Sequence, residues 1–221
     1  MTIELGLLLL ESLLLVATII LLLYNIREGK QRENLLMEVE RATRVLSRQE
    51  YFFTLMESMH DAQQEIIGCI TGSPPSGDDI KMTKNIIDMI GRMSKKGVRI
   101  QYLLPKFPDR LQIGIAYSKA GAEISFSSCF MIHNLRFSVI DGRTAVLGIP
   151  ENIGEKEATK KGYKIPSEGL AFLLRNYFIT CEKQISLKEY LHEVIEQTGA
   201  TTAHLAHEFN IDEGDLKKLL G

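Results

Sequence analysis

A chain of 221 residues has room for one globular domain plus attachments. Its formal charge of -2, with 26 basic against 28 acidic side chains, excludes any argument from net charge for a nucleic-acid or anionic-membrane partner. Cys69, Cys129 and Cys181 are odd in number, widely spaced and set among apolar residues. They read as buried free thiols, and with no Asn-x-Ser/Thr site in the chain they point to a reducing compartment.

Leu5–Tyr24, LGLLLLESLLLVATIILLLY, is about long enough to cross a bilayer as a helix. Glu4 near its start and the bulky residues at its end do not suit a cleaved signal peptide, so residues 1–25 read as an uncleaved anchor. Arg27, Lys30 and Arg32 follow at once, and the positive-inside rule then places the rest of the chain in the cytoplasm of a single-pass membrane protein. Glu11 reads either as a carboxylate reaching the interface or as a functional intramembrane group. Residues 26–50 read as a juxtamembrane helix running on to residue 56. Its stripe of Leu35, Val39, Ala42, Leu46 and Phe53 is either a short coiled-coil seam or a face packed on the chain's own domain.

From Tyr51 the pattern is α/β. Helix is expected over residues 52–65, 80–96 and 110–120, and strand over 66–70, 98–104, 122–127 and 169–174. Gly97 and Gly121 sit where helices end. This alternation implies a mixed sheet flanked by helices over residues 51–184. Residues 152–167 read as a polar loop, whose Lys156, Lys160, Lys161 and Lys164 either line an anion-binding mouth or are simply solvated. Residues 185–221 form a helical tail. Its TTAHLAHEF and EGDLKKLL resemble a helix-turn-helix, but acidic residues outnumber lysines there, which favours a cap or docking element over DNA contact.

The densest chemistry lies in Met131–Glu151, MIHNLRFSVIDGRTAVLGIPE. Leu135, Phe137 and Val139 alternate with Arg136, Ser138 and Ile140, Asp141-Gly142 turns the chain, and residues 144–149 return as a second strand. An arginine stands mid-strand among apolar residues, preceded by His133 and Asn134.

This stretch resembles the phospholipase D superfamily. The family's motif is His-x-Lys, four residues, Asp, and then a Gly-Gly or Gly-Ser pair followed by x-Asn. Arg136 and Asp141 reproduce the Lys-to-Asp spacing, and Gly148 stands at the first glycine. Asn134 holds the histidine position with His133 one residue early, Ile149 replaces the second small residue, and Glu151 replaces the asparagine. The resemblance also extends to the layout of elements over Tyr51–Gln184. It implies a phospholipase D-like half-domain with an eroded site. Members with one motif per chain complete a two-fold site by homodimerising, so a homodimer is implied as well.

In the family a histidine attacks the phosphodiester and lysines hold its oxygens. Strand geometry puts Asn134 and Arg136 on one face and His133 on the other, so His133 could act as nucleophile only through a β-bulge. The resemblance therefore makes His133 and Asp141 the catalytic candidates, and Asn134, Arg136, Ser138, Gly148 and Glu151 the ligand-binding ones. Arg136 offers a fork of donors to phosphate, or else pairs with an internal carboxylate such as Glu151 or Glu168. His60, His133, His192, His204 and His207 show no metal-ligand spacing, and no cofactor is implied. The functional expectations are a phosphate-binding or scaffolding module that has lost catalysis, an active phosphodiesterase using His133, or a membrane-tethered regulator.

Overall fold

The computed structural model describes residues 14–15, 18–22, 24, 44–71, 74–75, 77, 79–129, 132, 135–149, 161–209 and 211–221. These fall into two units, Met1–Thr43 and Arg44–Gly221. In the first unit the described positions are helical, with Leu14, Leu15, Ile19, Ile20, Leu21, Leu22 and Tyr24 exposed. Most of the expected anchor lies outside the described residues, and among those described no helix is long and apolar enough to cross a membrane.

The second unit runs β1 (Arg44–Ser47), α1 (Arg48–His60), β2 (Glu65–Cys69), α2 (Asp79–Lys95), β3 (Arg99–Pro105), a 3-10 turn (Pro108–Arg110), α3 (Leu111–Lys119) and β4 (Glu123–Ser127). It continues with β5 (Arg136–Ile140), β6 (Thr144–Ile149), β7 (Lys161–Pro166), α4 (Glu168–Thr180), β8 (Ile185–Ser186), α5 (Leu187–Thr198), α6 (Thr202–Glu208) and α7 (Glu213–Leu220). The eight strands form one mixed sheet in the order β1-β7-β6-β5-β2-β3-β4-β8. Strands β2, β3 and β4 are parallel, and every other neighbouring pair is antiparallel.

Period-2 alternation sorts the strand residues onto two faces. One face presents Ile66, Tyr102, Leu104, Phe126, Ile140 and Val146 to the core shared with α1, α2, α3 and the C-terminal helices. The other presents Ile67, Cys69, Leu103, Phe137, Val139 and Ala145 to a second cluster that takes in Ala171, Leu174 and Phe178 of α4 and Ile132. Each fully buried aliphatic or aromatic side chain contributes about 1.5–3 kcal/mol over its exposed state.

Local signals explain the helix starts. Ser47 and Glu50 form a reciprocal capping box at α1, and Ser186 and Glu189 do the same at α5. Gly199 closes α5 in the left-handed conformation at φ 67°. The C-terminal helices are part of the core rather than an appendage: Leu191, Leu205, Phe209 and Leu216 are buried, and Lys119 of α3 meets Asp215 of α7 at 2.6 Å.

Four expectations are corrected. The helix foreseen over residues 26–56 cannot be continuous, because Arg44–Ser47 is a strand paired with β7 and Leu46 points into the core at 1% exposure. The seam from Leu35 to Phe53 is therefore broken at Leu46; its members Leu35, Val39 and Ala42 lie outside the described residues. The polar loop ends at Lys161, where KGYKIP becomes β7; its lysines hid a period-2 strand. Residues 169–174, expected as strand, belong to α4, which Ser167 caps and whose Ala171, Leu174 and Phe178 follow helical spacing. Finally, Cys129 and Cys181 are joined in a disulfide, with Cα atoms 6.5 Å apart. They are 52 positions apart in sequence, and only the fold brings the end of β4 beside the end of α4. Cys69 alone is a buried free thiol, pushed up by desolvation.

Candidate functional site

The parallel strands β2, β3 and β4 end on one edge of the sheet. In open α/β sheets, the crevice beyond the carboxyl ends of such strands is where ligands bind. Antiparallel pairing brings the start of β5, the end of β6, the start of β7 and the end of β1 to the same edge. Arg136 opens β5 there, so a strand-borne guanidinium stands at the mouth of the sheet. Across the strands its row runs Arg136, Gly148, Gly162 and Leu46.

Gly162 in that row makes room for α1. A Cβ added to Gly162 would lie 2.6 Å from the Tyr51 Cδ2 and 2.8 Å from its Cβ. The Tyr51 ring therefore rests on bare backbone, next to Gly148 and on the same face as Arg136. Burial raises the Tyr51 phenol to about 12, against an opposing pull from the Arg136 charge.

Two further arginines reach this edge. Arg48 is the first residue of α1 and forms an ion pair with Asp79, the first residue of α2. Arg110 closes the 3-10 turn after β3 and serves as the N-cap residue of α3. It is 7% exposed, its guanidinium lies 5.8 Å from the Phe107 ring centroid, and its Nη1 is 3.5 Å from Asp109. Its Nε–H is buried and finds no acceptor among the described residues. Desolvation lowers the Arg136 pKa. Tyr51 and Asp79 oppose that shift, while the positive charges of Arg48 and Arg110 add to it. The fold thus holds two guanidinium groups whose fields reach Arg136.

The expected site residues divide clearly. Arg136 and Gly148 are direct cross-strand partners at the edge. Ser138 lies on the same face but one row deeper, 1% exposed, hydrogen-bonded to the Tyr102 phenol. Its hydroxyl has an interior partner in that phenol. Gly68, between them, leaves the space: a Cβ there would sit 3.1 Å from both the Ser138 hydroxyl and the Tyr102 ring.

Asp141 is not brought to Arg136. It lies at the other end of β5, roughly 16 Å away at the usual rise per residue. There its carboxylate accepts from the backbone amides of Gln63 at 2.9 Å, Gln64 at 2.8 Å and Glu65 at 3.0 Å. Burial alone would raise this acid, but the three amides outweigh it and hold the carboxyl below its ordinary value. Asp141 therefore clamps the β5–β6 turn to the entry of β2. Glu168, one of the carboxylates foreseen for Arg136, begins α4 just past Pro166, which pairs with Thr144 at that same far end. His133, Asn134 and Glu151 lie outside the described residues.

Arg48, Arg110 and Tyr51 were not foreseen. One signal was available: an arginine at a helix N-terminus faces the positive end of the helix dipole, where acidic residues are the rule. Arg48 and Arg110 both break that rule. Reading them as one site needs the fold, because the two positions are 62 apart in sequence and β2, α2 and β3 intervene.

A separate cavity of about 320 Å³ lies between the 3-10 turn and the C-terminal helices, lined by Pro108, Val194, Leu205 and Phe209 with His204 and Glu208.

No protein-family model matches the sequence, and no curated protein matches it. Among solved structures it is similar to Nuc of Salmonella typhimurium, a phospholipase D family member, at 13% identity and TM-score 0.49 over 65% of this chain and 96% of that one. It is similar to NucT from Helicobacter pylori at 12% identity and TM-score 0.49, over 65% and 98%. A third is TrmBL2, an archaeal chromatin protein whose structure shows a novel mode of DNA binding, at 20% identity and TM-score 0.45. The match spans 69% of this chain and 59% of TrmBL2, less than two thirds of that protein. Strand order and register define the class here: an α/β domain with a mixed sheet and a basic carboxyl edge.

Proposed function

We propose that residues 44–221 form a phospholipase D-like half-domain that binds a phosphate-bearing ligand at the carboxyl edge and does not turn it over. The observation that carries this is Arg136 opening β5 beyond the ends of the parallel strands, beside Gly148 and under Tyr51. A guanidinium in that position offers paired N–H donors to phosphate oxygens. Asparagine at the position of the family's nucleophile supports loss of catalysis, since an amide cannot form a phosphoenzyme. The role of Asp141 is to hold the hairpin.

In this reading residues 5–24 anchor the chain to a membrane, and Arg27, Lys30 and Arg32 favour a cytoplasmic domain. The Cys129–Cys181 bond removes the cysteine argument for a reducing compartment, so orientation rests on those basic residues alone. Protease protection in sealed vesicles tests it: digestion of the domain only after lysis would reverse the assignment. Homodimerisation follows from the single motif per chain.

The test compares the full chain in detergent with His133→Ala and Arg136→Ala. Hydrolysis of a chromogenic phosphodiester is measured without metal, alongside calorimetric binding of inorganic phosphate. The proposal expects no turnover by any of the three, and phosphate binding that disappears in Arg136→Ala. Turnover by the wild type that both substitutions abolish would establish the phosphodiesterase reading with His133 as nucleophile.

A further inference from the structure

We infer that Arg48, Arg110 and Arg136 form a three-sided clamp for a terminal phosphate, a phosphomonoester rather than a phosphodiester. This rests on the phosphate-binding reading of Arg136 and adds two residues and a ligand class to it.

Geometry supports the clamp on three independent counts. First, the guanidinium groups come from three different elements that meet at one edge: the start of α1, the N-cap of α3 and the start of β5. The Arg48 and Arg110 charges both act on Arg136, which places the two groups near it at that edge. Second, Arg110 is 7% exposed, and its Nε donor is buried with no acceptor among the described residues. A buried donor left without an acceptor costs about 1–3 kcal/mol, so native structures seldom keep one without a reason. Third, Arg48 and Arg110 both stand at helix N-termini, against the favourable sign of the dipole. An oxyanion placed between them satisfies the orphaned donor, separates the like charges and gives both helix ends the charge they favour.

The chemistry of the ligand follows from counting oxygens. A phosphomonoester presents three non-bridging oxygens and carries two negative charges once its second proton, with a pKa near 6, is lost. A diester presents two such oxygens and one charge, and its second ester arm must leave through one side of the clamp. Asp79 and Asp109 contact Arg48 and Arg110 respectively. Asp109 is half-exposed, so water screens its pairing with the buried guanidinium. The Tyr51 phenol, raised to about 12 by burial, stays protonated at neutral pH and adds a neutral donor.

The experiment titrates the full chain in detergent with phenyl phosphate and, separately, bis(4-nitrophenyl) phosphate at pH 7.5. The clamp predicts that the monoester binds at least about tenfold tighter. Arg110→Gln should weaken the monoester by about the same factor and leave the diester within about twofold. Arg48→Gln, at a half-exposed position, gives a second test should Arg110→Gln fail to fold. Monoester affinity should also fall below about pH 6, as its second proton returns, while diester affinity stays flat. Equal affinities, or a tighter diester, with both lost in Arg136→Ala, would overturn the clamp and leave the phosphate-binding reading standing. No binding of either ligand would overturn both.

Discussion

The two ends of β5 carry opposite charges treated in opposite ways. At the turn, Asp141 has three backbone amides arranged around its carboxylate and a local φ of 50° that places them. At the mouth, Arg136 faces two other arginines and a buried phenol. A charge whose partners are all supplied by the chain is a structural fastener. A charge set near two further guanidinium groups at the carboxyl edge of parallel strands stands where ligands bind in open α/β sheets. Four residues separate Arg136 from Asp141 in sequence, and the strand places them at its opposite ends in these two roles.

Substitutions should therefore split the ends into stability at one and binding at the other. Asp141→Ala removes three hydrogen bonds to a carboxylate and should lower unfolding free energy by about 3 kcal/mol in urea denaturation. A loss below about 0.5 kcal/mol would make the turn indifferent to it. Gly162→Ala drives a methyl group into the Tyr51 ring and should lose about 2 kcal/mol. Because it displaces the ring beside Arg136, it should weaken phosphate binding as well, which joins the two readouts at one residue.

Acid should act on the turn before the mouth. Burial raises Asp141 and Glu65, but the Gln63–Glu65 amides and the Arg175 and Arg99 side chains respectively outweigh it, so both fold with lowered pKa values. Their contribution is complete above the ordinary carboxylate range and is lost as pH falls through the folded values. Asp141→Asn should flatten that part of the stability profile, measured by chemical denaturation between about pH 5 and 2. The smallest effect is expected for Arg136→Met, within about 1 kcal/mol of the wild type. A loss above about 3 kcal/mol would reassign Arg136 as a structural residue.

The hairpin itself was legible because its signals are local. Alternation marks both strands, and Asp141-Gly142 supplies the two positive-φ residues the turn requires, at 50° and 64°. The row of Arg136 and Gly148 could likewise be anticipated from spacing. Elsewhere local pattern misled. RVLS carries helix-compatible apolar spacing, and only pairing with β7 makes it a strand. KGYKIP looks solvated until it pairs between β1 and β6, and GLAFLL reads as strand until Ser167 caps it into a helix. Arg48 and Arg110 are ordinary surface residues in one dimension. They become a site only when α1 and α3 begin at the same sheet edge. The Cys129–Cys181 bond was out of reach for the same reason, being a contact between the ends of β4 and α4.

The most direct test compares thermal unfolding of the full chain, Arg136→Ala and Asp141→Ala, each with and without millimolar inorganic phosphate. Binding to the native state alone raises the unfolding temperature. The expected result is a phosphate-dependent rise in the wild type, the same rise from a lower baseline in Asp141→Ala, and none in Arg136→Ala. An equal rise in all three proteins would place phosphate binding away from the mouth of the sheet and contradict the account.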